Sequence, residues 1–229
     1  MKYVEFEGII SPDRMRRYVN ACGGNTHKGM TLYRYNLALS GEMLKIISCF
    51  EVALRNRIHQ VLSLNYGKDW LRDSCLPNGM FDNPHTMKSR KIIIKAYTEL
   101  EMSGTYSPTK LLSEMDFGIW KYMFTGPQYI ATGQKLLGVF PYKPKTTRTV
   151  RIDNKFIFNE LNYITQIRNR IAHHEPICFL AHKQNKSDTY ARQEYKRILK
   201  LFSWMGIDDR GLLYGIDHID RCCRKIMGL

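Results

Sequence analysis

Residues 168–176 read RNRIAHHEP, and residues 55–59 carry a shorter echo, RNRIH. Arginine and histidine at such spacing have chemistry open to them. A guanidinium donates two parallel hydrogen bonds to a phosphate, and an imidazole with an unperturbed pKa of about 6.5 moves protons near neutral pH. Arg168 falls on the line Ile157, Leu161, Ile164, Ile171, where the pattern calls for an apolar residue. A guanidinium in that place needs an acidic partner, such as Glu51 or Glu160, or a phosphate held in a cleft. On a straight helix His173 points about 140° away from Arg168, and His174 about 120° away in the other sense. The groups converge only if the helix ends near Ala172, ahead of Pro176, or if two copies of the segment face each other across a two-fold axis. In the echo, Glu51, Arg55 and His59 lie four residues apart and share one edge of a helix. Glu51 and Arg55 also have the spacing of an ordinary intrahelical ion pair.

Helices must position these groups, because helix signals recur and strand signals are nearly absent. Ser11 and Pro12 read as the cap and first residue of a helix that stops near Gly23. From residue 41 to about 65, Met43, Ile47, Phe50, Leu54, Ile58 and Val61 keep the spacing of one buried helical face. The Pro, Gly and Asn of residues 69–83 predict a loop. Asn83-Pro84 opens a helix to about residue 102, Ser107-Pro108 opens one through KLLSEMDFGIWKYMF, and Gly126-Pro127 begins a shorter one. A basic loop over 141–149 leads to a long helix, about 148–174. The polar stretch HKQNKSD precedes a helix over 188–205, and a last helix spans about 208–227. Seven or eight helices with short connections make an all-α bundle, read as one domain over residues 1–229.

Charge narrows the partner. Thirty-five basic residues against 21 acidic ones give +14, with a pI near 9.5, and such an excess calls for a polyanion, most often a nucleic acid. The basic residues cluster at Arg14, Arg16 and Arg17, at Lys88, Arg90, Lys91 and Lys95, and at Lys143, Lys145, Arg148 and Arg151, the last within an acid-free stretch. Six scattered cysteines without a CxxC pair read as buried, reduced thiols. HHE at 173–175 has no HExxH or second ligand pair to make a metal site, and no cysteine carries a catalytic signature. Neither a metal nor a cofactor is expected. No apolar run approaches a membrane span and the N-terminal residues do not resemble a signal peptide, so the expected location is the cytoplasm. Trp120 and Trp204 sit in apolar helical patterns as core residues, and the FG of FGIW could set Gly118 where two helices approach closely.

The segments ISCFEVALRNRIHQVL, LLSEMDFGIWKYMF and LNYITQIRNRIAHHEPI, followed by YKRILKLFSWMG, resemble the Abi-like (abortive infection) family of bacterial and phage-defence proteins, from about Tyr33 onward. The resemblance implies a HEPN-type helical bundle, whose nuclease members carry arginine, a polar residue and a histidine five to seven residues after the arginine. Here that motif falls on Arg168, Asn169 and His173, with His174 as the neighbouring candidate. It implies a metal-independent endoribonuclease, commonly with a site assembled at a homodimer interface, acting in an abortive-infection or toxin–antitoxin system whose antitoxin is a protein or an RNA. The residue types suit that reaction. RNA carries its own nucleophile, the 2′-hydroxyl, so histidine would move protons and arginine would hold the equatorial phosphate oxygens. Glu51, Arg55 and His59 would support the site, and the basic loop would hold RNA. The rival reading is a non-catalytic RNA-binding module that grips a structured RNA, since members of the superfamily without nuclease activity exist.

Overall fold

Ser11 and Pro12 start a helix as their types require. The Ser11 hydroxyl accepts from the Arg14 amide at 3.4 Å, and Pro12 takes a position where no amide hydrogen is needed. Ser107 and Pro108 repeat the device, with the Lys110 amide donating to the serine at 3.2 Å. The computed structural model describes residues 1–180 and 183–229. Among them run twelve α-helices: α1 (Tyr3–Ile10), α2 (Pro12–Ala21), α3 (Thr26–Tyr66), α4 (Trp70–Cys75), α5 (Met87–Met102), α6 (Pro108–Ser113), α7 (Phe117–Tyr122), α8 (Gly126–Ala131), α9 (Asn154–Ala172), α10 (Thr189–Trp204), α11 (Asp209–Leu212) and α12 (Ile219–Met227), with a 3₁₀ turn at Lys135–Val139. One antiparallel bridge, Phe179 with Lys186, is the only β pairing among the described residues. The fold is all-α, and no described helix is long and apolar enough to cross a membrane.

The helix count exceeds the expected seven or eight because apolar runs conceal caps. The run after Ser107 is two helices, since the Asp116 carboxylate accepts from the Ile119 amide at 3.0 Å and starts α7. A Cβ on Gly118 would meet that same carboxylate at 3.0 Å, so this glycine sits over its own helix cap, not at a helix crossing. The expected loop at 69–83 contains α4, and the last expected helix is divided into α11 and α12. In the other direction, α3 starts fifteen residues before Gly41, because Leu32, Asn36 and Leu39 extend its buried stripe. The polar Asn36 hides that continuation from an apolar pattern. The long helix starts at Asn154, with Asp153 accepting from the Phe156 amide at 2.9 Å, so the basic loop runs on to Asp153. The polar stretch expected from His182 has its first residue outside the described ones.

The chain divides into two compact units. The first holds Met1–Ser48, Gln166–Lys200 and Asp209–Leu229. Its core packs edge-on aromatics, with Tyr18 5.3 Å from Tyr33 and 5.4 Å from Phe179 between ring centres. Gly29 permits α3 to lie against α2, because a Cβ there would meet Val19 Cγ2 at 2.8 Å and its Cα at 3.1 Å. Arg192 joins α10 to the C-terminal segment through Asp188 and Asp220, and Tyr195 donates to Asp217.

The second unit holds Cys49–Thr165 and Leu201–Asp208. Phe50 meets Phe202 and Phe117 edge-on at 5.4 and 6.2 Å, and Trp70, Phe81, Trp120 and Phe124 are fully buried around them. Arg90 ties the turn after α4 to α5, donating to the Cys75 carbonyl at 2.9 Å and pairing with Asp82 at 2.9 Å. Of the six unpaired cysteines, Cys75, Cys178 and Cys223 are buried and the other three are half-buried. Trp204, expected in the core, is half-buried.

Candidate functional site

The candidate residues of the first unit cluster at the C-terminal end of α9. Ile157, Leu161, Ile164, Ile167 and Ile171 form its buried stripe, and Arg168 is exposed. After Ile164 the 3.6-residue period offers both 167 and 168 to the buried face, and the isoleucine takes the place. The expected conflict of a guanidinium on the apolar line is thereby absent. No acid pairs with Arg168 among the described residues.

The helix ends at Ala172 in a Schellman turn. The Glu175 amide donates to the Arg170 carbonyl at 2.7 Å and the His174 amide to the Ile171 carbonyl at 2.9 Å, with His174 left-handed at a φ of 58°. Glycine usually takes that position, and histidine is among the few other residues that visit it. Asn169, His173 and His174 are all exposed. Arg170 holds the turn from inside: its Nη2 donates to the Pro176 carbonyl at 2.8 Å, its Nε lies 3.3 Å from Glu175, and its guanidinium stacks on Tyr190 at 4.7 Å.

Three residues from α2 and α3 fix the chain beyond the turn, and nothing in the motif announces them. Arg14 Nη1 donates to the His174 carbonyl at 3.1 Å. Arg17 Nη2 donates to the Leu180 and Lys183 carbonyls at 3.1 and 2.6 Å, and its guanidinium lies 4.3 Å over the Phe179 ring. Buried Asn36 accepts from the Ile177 and Cys178 amides at 2.9 and 3.2 Å. A cleft of about 420 Å³ opens here, lined by Arg14, Arg17, Tyr18 and His174, with Ser11, Asp13, Glu175 and Pro176 at its sides. Burial pushes the nearby Cys178 thiol up to about 12, which keeps it protonated and a poor nucleophile.

Glu51, Arg55 and His59 belong to the second unit and are half-buried along α3. Arg55 Nε lies 3.4 Å from the Asn56 side-chain oxygen. His59 Nδ1 accepts from the Trp70 indole at 3.0 Å, with Ser63 Oγ 3.1 Å away. An indole only donates, so the neutral ring carries its proton on Nε2. Burial lowers the His59 pKa, and the indole hydrogen opposes protonation at Nδ1 as well. The ring borders an open depression of about 760 Å³ with Gln60, Ser63, Leu64, Lys68, Pro108 and Thr109.

In the basic loop Lys145, Arg148 and Arg151 are exposed and Lys143 is half-buried. Threonines shape the loop: the Thr147 hydroxyl accepts from the Val150 amide at 3.0 Å and the Thr146 hydroxyl from the Ile152 amide at 3.2 Å. Arg151 pairs with Asp153 at 3.1 Å. Among the described residues no group of three His, Cys, Asp or Glu side chains could hold a metal ion.

No curated protein and no solved structure is significantly similar to the chain. The model of the Abi-like protein family matches residues 9–178. The match begins ahead of the resemblance read from Tyr33 onward and ends short of YKRILKLFSWMG, and it takes in α2 with Arg14 and Arg17 as well as the turn after α9. The chain belongs to the Abi-like protein family.

Proposed function

We propose that the chain is an abortive-infection toxin that cuts RNA without a metal, through a HEPN-type site formed by Arg168, Asn169, His173 and His174. The carrying observation is the joint exposure of these four residues at one helix terminus, where His173 still donates its amide to the Asn169 carbonyl at helical spacing and His174, left-handed, leaves that spacing. One histidine removes the 2′-hydroxyl proton as the 2′-oxygen bonds to phosphorus, Arg168 holds the charge that develops on the phosphorus oxygens, and the bond from phosphorus to the 5′-oxygen breaks as a histidine gives that oxygen a proton. The products are a 2′,3′-cyclic phosphate and a 5′-hydroxyl. Lys143, Lys145, Arg148 and Arg151 hold the RNA. The protein works in the cytoplasm as a homodimer, restrained by an antitoxin of protein or RNA.

Labelled RNA incubated with the protein in EDTA tests the reading, with cyclic phosphate ends as the expected product. Mixing Arg168→Ala with His173→Ala protein should restore part of the activity if the site is composite across a dimer, with subunit exchange verified separately. Absence of cleavage by antitoxin-free wild type rejects the nuclease reading. The exposed basic loop favours the second reading, a structured-RNA binder, in which binding persists without cleavage.

A further inference from the structure

The cleft beside His174 carries a charge that its own lining does not cancel. It is bordered by two acids, yet Asp13 pairs with Arg16 at 2.6 Å and Glu175 with Arg170 at 3.3 Å, and neither of those arginines lines the cleft. Arg14 and Arg17 therefore give it a positive field. The two differ in what they have left to offer. Arg17 is held inward, with its Nη2 on two carbonyls, its plane on Phe179 and its Nε buried without a partner. Arg14 is exposed, and of its five N–H donors the His174 carbonyl takes one.

We infer that Arg14 is a further phosphate contact of the site, holding a phosphodiester of the RNA strand next to the one at Arg168 while fixing the turn that presents His174. The inference rests on RNA being the polyanion bound. A guanidinium already anchored by one hydrogen bond loses little freedom when it binds a phosphate oxygen. The contact to the His174 carbonyl keeps phosphate and imidazole in one cleft, so strand position and proton transfer are coupled through a single side chain.

The test uses a single-stranded 2′-O-methyl RNA, which binds but lacks the nucleophile, with affinity measured across salt concentrations. Arg14→Gln should weaken binding roughly tenfold and make the salt dependence shallower by roughly 0.7, the loss of one phosphate contact. Arg14→Lys should keep the slope and recover part of the affinity, and Lys110→Gln, at an exposed position on α6 outside the cleft lining, should change neither. A role confined to bracing the turn would lower the melting temperature of Arg14→Gln and leave the slope unchanged, which overturns the inference. Should Arg14→Gln fail to fold, wild-type protein titrated with inorganic phosphate decides. The His174 imidazole resonances should shift while those of exposed His85 stay fixed, and an unmoved His174 overturns the inference. If the slope depends on Arg14 but no RNA is cut, the contact stands and the nuclease reading falls. If RNA is cut and Arg14→Gln binds and cuts as wild type does, the reverse holds.

Discussion

The same four residues, Arg-Asn-Arg-Ile, occur in α3 and in α9, and the two copies reach different ends. Their isoleucines, Ile58 and Ile171, are both buried, and their second arginines are both half-buried. The histidines separate them. His59 comes four residues after Arg55 in a helix that continues to Tyr66, so it stays on the helix wall and its Nδ1 is taken by Trp70. His173 comes one residue later relative to its arginine, where α9 has ended, and it is exposed with His174 beside it. One inserted residue sets His173 on an exposed position although its amide still donates to the Asn169 carbonyl at 2.9 Å, and the helix end itself frees only His174. The motif's letters alone cannot express that difference.

The largest expected effect divides the copies by activity. Arg168→Ala or His173→Ala should lower RNA cleavage by about 10²–10⁴-fold with an unchanged unfolding midpoint. Arg55→Ala should change the rate per folded molecule by less than about tenfold, the effect of a support and not of a group touching the reacting phosphate. Equal losses from Arg168→Ala and Arg55→Ala in fully folded proteins would erase the distinction.

Next in size is a stability effect confined to the α3 copy. His59→Ala leaves the buried Trp70 indole hydrogen without its acceptor, at a cost of about 1–3 kcal/mol, read from denaturant unfolding. His173→Ala, at an exposed position, should cost less than about 0.5 kcal/mol. The pH dependence sharpens the same contrast. Because burial lowers the His59 pKa, the folded state binds fewer protons than the unfolded one between the lowered value and about 6.5. The stability contributed by neutral His59 is thus complete above about pH 6.5 and is lost as pH falls through the lowered value. His59→Gln should flatten that part of the stability profile, and a profile identical to wild type would show that the ring titrates alike folded and unfolded.

These contrasts also mark what could be read from the chain alone. The letters of the candidate site stand in the sequence, and Pro176 offers a break near Ala172 as one of two options beside a helix drawn to 174; the helix ends at Ala172. Which residue after Ile164 would be buried was not legible, since a 3.6-residue period admits both Ile167 and Arg168. Caps next to proline, at Ser11 and Ser107, were readable from residue type. Asp116, inside an apolar run, was hidden, as was the extension of α3 past Gly41 through polar Asn36. Arg14 and Arg17 were visible as charge, but their partners lie some 160 residues along the chain. Net charge gives no means of choosing the carbonyls an arginine will hold.

The smallest expected effect isolates the imidazole of His174 from the turn it occupies. A left-handed conformation costs a non-glycine residue roughly 1–2 kcal/mol, and histidine pays less than a branched residue would. Glycine at the same φ of 58° avoids the cost but adds freedom to the unfolded chain. His174→Gly should therefore stabilise the fold by at most about 1 kcal/mol, raising the melting temperature by roughly 2–4 °C in a chain of this size. The carbonyl that receives Arg14 and the amide that closes the turn both belong to the backbone, so they survive the substitution. A protein that melts higher yet cuts RNA more slowly would show that His174 is kept for its ring, against the preference of the turn. Unchanged cleavage with the higher melting temperature would reduce His174 to a helix cap and leave the proton transfers to His173.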